Sequence, residues 1–128
     1  MAPITSLYAA LTALLVIALA SLVVRGRWLH RVGLGTGGSP ELERAVRVHA
    51  NLVEYAPIGL ILLLLLELAA LPAWFLHGCG AAFFLSRLLH ALGLSQRSGS
   101  SPGRYLGTLG TWLVIILMAA VLLFRGMT

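Results

Sequence analysis

Four long apolar stretches occupy most of this chain and leave it few ways to fold. Residues 4–24 carry no charged side chain, and a helix of that length crosses a hydrocarbon core of about 30 Å. Only 10% of the 128 residues are charged and the mean hydropathy is +0.97, whereas soluble domains carry about 25% charged residues. Lipid must therefore solvate most of the chain, and a single membrane domain over residues 1–128 accounts for its length.

Prolines and capping residues mark the ends of the apolar stretches. Ser39 and Pro40 supply an N-cap and a first-turn residue for the second helix. Pro57 is expected to bend that helix rather than end it, because the apolar run continues beyond it. Pro72 separates the second helix from the third. The sequence predicts an all-α membrane protein, a bundle of four transmembrane helices at about residues 4–24, 41–71, 73–92 and 102–124.

The nine positive charges are all arginines, and their distribution predicts the orientation of the helices. Eight lie at the first and third connections or at the adjoining helix ends, Arg97 among them, and Arg125 alone lies on the opposite side. Under the positive-inside rule, the loops between helices 1 and 2 and between helices 3 and 4 are cytoplasmic and both termini are outside.

The basic pI near 10.7 does not indicate a nucleic-acid-binding protein. The arginines are dispersed at helix ends, and the soluble basic module typical of such proteins is missing. The single Cys79 rules out an intramolecular disulfide and a CxxC metal site. We therefore expect neither a nucleic-acid partner nor a bound metal.

A polar stripe begins the second helix. Arg44, Arg47, Asn51 and Glu54 are spaced at i, i+3, i+7 and i+10, which places them on one helical face with Tyr55 at its edge. A charge deep in a transmembrane helix costs about 2.5–3.5 kcal/mol on insertion scales, so such groups normally face a partner or a water-filled cavity.

The other helices bring polar groups to the same membrane level. Arg87 and His90 stand at i, i+3 near the end of the third helix, Arg104 lies in the first turn of the fourth, and Arg25 and Arg27 follow the first. Two interpretations of these polar groups are purely structural. The arginines could reach toward lipid headgroups, or Glu54 could form an ion pair with a neighbouring arginine. A third interpretation is a site for a polar ligand. The combination of cations, an amide and an anion on one face favours this interpretation.

The second helix opens with a recognisable pattern, Glu43-Arg44-xx-Arg47-x-His49-x-Asn51-xx-Glu54-Tyr55-x-Pro57. This pattern resembles the second-helix signature of the membrane-associated proteins in eicosanoid and glutathione metabolism, a family that includes the microsomal glutathione transferases. The resemblance covers the whole chain, including Arg87-xx-His90 before Arg104. It points to the small bacterial branch of the family.

The resemblance implies a homotrimer in the bacterial inner membrane, with glutathione sites that neighbouring subunits share and that open to the cytoplasm. It implies a glutathione transferase or peroxidase acting on lipophilic small molecules that arrive from the membrane lipid. Arg104 corresponds to the residue that stabilises the glutathione thiolate, and Arg27, or Arg25, to a first-helix arginine that contacts glutathione or aids catalysis. By position, the glutathione-binding residues are Arg47, Asn51, Glu54, Tyr55, Arg87 and His90.

Two positions depart from the family pattern. Leu94 and Thr108 stand where the members that act on lipids often carry tyrosines. A non-catalytic scaffold trimer of the same fold, binding lipid or glutathione, is therefore an alternative. A small exporter is another, but proton coupling requires a carboxylate at mid-membrane, and Glu54 and Glu67 lie toward the ends of their helix. For Glu67 and His77, beside the Pro72 break, an interfacial pair or simple solvation is expected.

Overall fold

Four α-helices make up the fold: α1 Pro3–His30, α2 Pro40–Leu68, α3 Ala73–Gln96 and α4 Pro102–Gly126. The computed structural model describes residues 1–96 and 101–127; residues 97–100 of the predicted third connection, Arg97 among them, lie outside the described residues. All four helices are long and apolar enough to cross a membrane. The prediction of an all-α, four-helix membrane protein is confirmed.

The first helix is longer than expected. It continues beyond residue 24 to His30, so Arg25 and Arg27 lie on its last turns rather than in the loop. Arg31 ends the helix in the left-handed conformation, with φ of 53°. The backbone N–H of Arg31 then bonds to the carbonyl of Trp28, which satisfies one of the carbonyls that a helix end leaves unpaired.

The second helix begins and ends for local reasons. The Ser39 side chain accepts a hydrogen bond from the Leu42 backbone N–H at 3.3 Å, and the helix continues through Pro57 as predicted. It ends at Leu68 rather than residue 71, because Ala70 adopts a φ of 56°, which breaks the helical ladder before Pro72.

Helices α3 and α4 approach each other through glycines. A Cβ added to Gly107 would lie 2.6 Å from the backbone nitrogen of His90, and one added to Gly93 would collide with the backbone nitrogen of Arg104. Small residues at a helix–helix contact allow such close approach of two backbones. This contact sets His90 and Arg104 side by side at one end of the bundle.

The opposite end of the bundle is held by polar contacts that the sequence did not reveal. Both Glu67 carboxylate oxygens accept backbone N–H bonds at the start of α1, from Ile4 at 2.9 Å and Thr5 at 2.7 Å. The Tyr8 hydroxyl donates to the His77 carbonyl at 3.1 Å. The expectation of a Glu67–His77 pair or of simple solvation is wrong, because the free N–H groups of the α1 N-terminus bind the carboxylate.

Candidate functional site

A polar cleft of about 340 Å³ opens where α2 and α4 begin and α3 ends. Three arginines and one glutamate face it, so an anionic ligand would be attracted to it. The cleft is lined by Pro40, Glu43, Arg44, Arg47, Asn51, His90, Leu94 and Arg104.

Helix α2 presents its polar stripe to this cleft because its other face is buried. Leu42, Val48 and Leu52 are each at most 2% exposed. Their burial turns Arg47 and Asn51, at the intervening helical positions, toward the cleft. The first three residues of the predicted stripe, Arg44, Arg47 and Asn51, thus line one cleft.

Helix α4 delivers Arg104 through a cap that is tied to α3. The Ser101 hydroxyl accepts a hydrogen bond from the Arg104 backbone N–H at 3.2 Å and donates one to the Gly93 carbonyl at 2.9 Å. Arg104 itself is exposed and lines the cleft. His90, 4% exposed, lines the same cleft from α3. Two residues predicted from separate helices are thus brought together.

Arg87 lies behind the cleft rather than in its lining. It is 2% exposed, and its guanidinium donates to Thr111 Oγ1 at 2.8 Å, to Asn51 Oδ1 at 2.7 Å and to the Gly107 carbonyl at 3.3 Å. Its Cζ also lies 4.8 Å from the centre of the Tyr55 ring. These contacts satisfy a buried cation and join three helices.

Tyr55 and Glu54 do not line the cleft. The Tyr55 hydroxyl accepts a hydrogen bond from Trp112 Nε1 at 2.9 Å. Glu54 is exposed, and it forms no ion pair with any residue that the structure describes. The carboxylate at the cleft is that of Glu43, which appeared in the sequence pattern but was not predicted as a site residue.

The two first-helix arginines do not line the cleft either. Arg27 donates from Nη1 to the Gly33 carbonyl at 2.9 Å, which closes the loop after α1. Arg25 is exposed. Within the described residues, this loop-closing bond engages Arg27 and not Arg25.

A second depression, an apolar groove of about 390 Å³, follows α4 away from its start. Arg104 lines both the cleft and the groove. The groove continues over Tyr105, Thr108, Leu109 and Trp112. Trp112 and Leu109 were not predicted as site residues, although Trp112 stands eight positions after Arg104, a spacing that separates the two by about 80° around the helix.

Comparison with known proteins identifies a matching family and two similar bacterial proteins. Its residues 5–124 match the MAPEG family, a range that takes in the greater part of every helix. The chain is 39% identical over 115 residues to inner membrane protein YecN of Escherichia coli K12, covering 90% of this chain and 86% of that protein. YecN of Escherichia coli O6:H1 matches with the same identity and coverage. The chain belongs to the MAPEG family, the membrane-associated proteins in eicosanoid and glutathione metabolism.

Proposed function

We propose that this protein binds glutathione in the polar cleft and activates its thiol against lipophilic electrophiles or hydroperoxides, as a glutathione transferase or peroxidase. The position of Arg104 carries the proposal. Its side chain lines both the polar cleft and the apolar groove. A thiol held in the cleft and an apolar substrate held in the groove would therefore meet beside one guanidinium.

The charges around the cleft complement those of glutathione. The tripeptide carries two carboxylates and one ammonium group. Arg44 and Arg47 are suited to the carboxylates, because guanidinium and carboxylate groups form paired hydrogen bonds. Glu43 is the carboxylate that lines the cleft and would accept the ammonium group.

The chemistry requires the thiolate form of glutathione. A cysteine-type thiol has a pKa of about 8.5 and is mostly protonated at neutral pH. A nearby guanidinium favours the thiolate, which is the nucleophile. In conjugation, the sulfur forms a bond to the electrophilic carbon while the leaving group departs with its electron pair. Arg104 would stabilise the thiolate before this step.

The membrane arrangement belongs to the same proposal. The protein forms a homotrimer in the inner membrane, with the cleft on the cytoplasmic side and both termini outside. The arginine asymmetry supports the orientation, and the relative from Escherichia coli is an inner membrane protein. Within the described residues no Cα atom of α1 lies within 8 Å of one of α4, which leaves room beside the α4 groove for a first helix from a neighbouring subunit.

The decisive experiment measures the ultraviolet absorbance of the glutathione thiolate during titration of the purified protein. The wild type is expected to give a thiolate signal that Arg104→Ala abolishes. Arg125→Ala, which removes the same charge from the other end of α4, is the matched control and should keep the signal. A signal that survives in Arg104→Ala would refute the role of Arg104.

A second candidate function is glutathione or lipid binding without turnover. Leu94 lines the cleft and Thr108 lines the groove, in place of the tyrosines of the members that act on lipids. Leu94 has no hydroxyl to offer a ligand. A thiolate signal without conjugation of 1-chloro-2,4-dinitrobenzene and without hydroperoxide reduction would favour this binding function over the enzyme.

A further inference from the structure

We propose that Arg87 is a positioning residue: it fixes the Asn51 carboxamide so that this side chain offers the cleft a hydrogen-bond donor and selects an anionic oxygen of the ligand. The inference rests on the proposed function in taking glutathione as that ligand. It assigns Arg87 an indirect role, because Arg87 itself does not line the cleft.

The chemistry of arginine determines which way the Asn51 amide points. A guanidinium has five N–H donors and no acceptor. The Asn51 atom 2.7 Å from Arg87 Nη1 must therefore be the carbonyl oxygen Oδ1. The NH₂ group at the other branch of the amide then remains for the cleft, which Asn51 lines. Within the described chain this NH₂ group forms no hydrogen bond.

The guanidinium is held firmly enough to keep this orientation. Thr111 and Gly107 on α4 accept from its Nε and Nη2, and the Tyr55 ring lies against it. A flipped Asn51 amide would set NH₂ against these N–H donors. That arrangement loses a hydrogen bond to a charged group and leaves a buried donor unpaired.

The fixed amide gives the cleft a direction, with a hydrogen-bond donor at Asn51 and a carboxylate at Glu43. An NH₂ donor suits a carboxylate oxygen, and it repels an ammonium group, which has only donors. Arg47 stands one turn before Asn51 on the same face of α2 and adds a positive charge there. We therefore place a ligand carboxylate at Asn51 and the ligand ammonium group toward Glu43.

Asn51→Asp separates this role from a structural one. Aspartate keeps an acceptor for Arg87 and has nearly the same shape, so the buried contact should persist with added charge assistance. It presents a carboxylate oxygen to the cleft instead of NH₂. Glutathione affinity should fall at least about tenfold, because a charge-assisted contact becomes repulsive. The midpoint temperature of thermal unfolding should not decrease. Unchanged affinity in Asn51→Asp would overturn the inference while leaving the proposed function intact.

A measurement without glutathione tests the inference separately. The side-chain ¹⁵NH₂ resonance of Asn51 can be assigned by its absence in Asn51→Asp. Glutarate, a dicarboxylate, should shift this resonance, and 1,5-diaminopentane, a diamine of equal carbon number, should not. A shift with the diamine would overturn the inference, and so would the absence of a shift with both probes. Failure of glutathione alone to bind, with a glutarate response present, would refute the proposed function but not the direction of the cleft.

Arg87→Lys tests the fixing of the amide directly. Lysine keeps the charge but lacks the planar fork that reaches Asn51, Thr111 and Gly107 together. The glutarate-induced shift of the Asn51 resonance should shrink, and glutathione affinity should fall less than in Asn51→Asp. An Arg87→Lys protein with a full glutarate response would contradict the positioning role.

Discussion

The carboxylate of Glu67, near the end of α2, accepts the backbone N–H of Thr5, in the first turn of α1, at 2.7 Å. The N–H groups in the first turn of a helix have no partner within the helix, and a negative charge there is favourable. This contact joins two helix ends at the side of the bundle opposite the cleft. It also gives the Glu67 carboxylate a structural role, so that proton-coupled transport is not needed to explain this residue.

Replacing Glu67 should therefore weaken the fold without affecting the ligand site. Glu67→Ala removes the acceptor for two N–H groups, and we expect a loss of about 1–2 kcal/mol of stability, the usual effect of losing a helix cap. Thermal unfolding in detergent measures it. Glu41→Ala is the control, since Glu41 is exposed and lies 4.0 Å from His30; equal destabilisation by both variants would contradict the capping role.

The hydrogen bond between Trp112 and Tyr55 should appear as a coupling energy. Tyr55→Phe and Trp112→Phe each remove one partner of the 2.9 Å bond between α4 and α2. A double-mutant cycle on unfolding free energies should give a coupling of about 0.5–1.5 kcal/mol, the usual net value of such a bond. Strictly additive effects would show that the bond contributes nothing in the membrane.

Gly107→Ala should be strongly destabilising. The added Cβ would lie 2.6 Å from both the His90 nitrogen and the Ser86 carbonyl oxygen, which belong to the α3 backbone. Such overpacking typically costs about 1–3 kcal/mol, and separation of α3 from α4 should also reduce glutathione affinity. Gly78→Ala is the matched control, because nothing lies within 4 Å of its added Cβ and alanine favours a helix by about 0.8–1 kcal/mol over glycine. Similar melting curves for the two variants would refute the close packing.

Filling the apolar groove should affect the lipophilic substrate alone. Leu109→Trp places a large side chain in the groove that follows Arg104. The KM for a bulky lipophilic electrophile should rise several-fold, since pocket contacts of this size are worth about 1–3 kcal/mol, while the glutathione Kd stays constant. Leu123→Trp, on the same helix but outside the groove, should leave both constants unchanged. An unaltered KM in Leu109→Trp would exclude the groove as the second-substrate site.

The two first-helix arginines should differ in their effect. Arg27 is engaged with the Gly33 carbonyl, whereas Arg25 is exposed on α1 and would reach a neighbouring subunit's cleft in the proposed trimer. Arg25→Ala should lower glutathione affinity about tenfold or more, as for the loss of a charge-assisted contact, and Arg27→Ala should chiefly loosen the loop. Isothermal titration of both variants compares them, and a larger loss in Arg27→Ala would reverse the assignment.

Local patterns in the sequence predicted the helices and the polar stripe. Each span follows from an apolar run that can satisfy its backbone only as a helix, and the periodicity of 3.6 residues places Arg47 and Asn51 on one face. Helix ends were less predictable. The left-handed residues Arg31 and Ala70 carry no obvious sequence signal, since glycine is the usual residue in that conformation.

The sequence by itself determined that this chain crosses a membrane with four helices and carries a polar cluster resembling a known family's site. Only the tertiary structure decided which members of that cluster face the cleft. Glu43 lines it, Glu54 does not, and Arg87 is buried behind Asn51. The physical reason is that helical periodicity gives the face of each residue on its own helix, whereas the rotation of one helix against another depends on side-chain packing between distant segments, such as the glycine contact of α3 with α4.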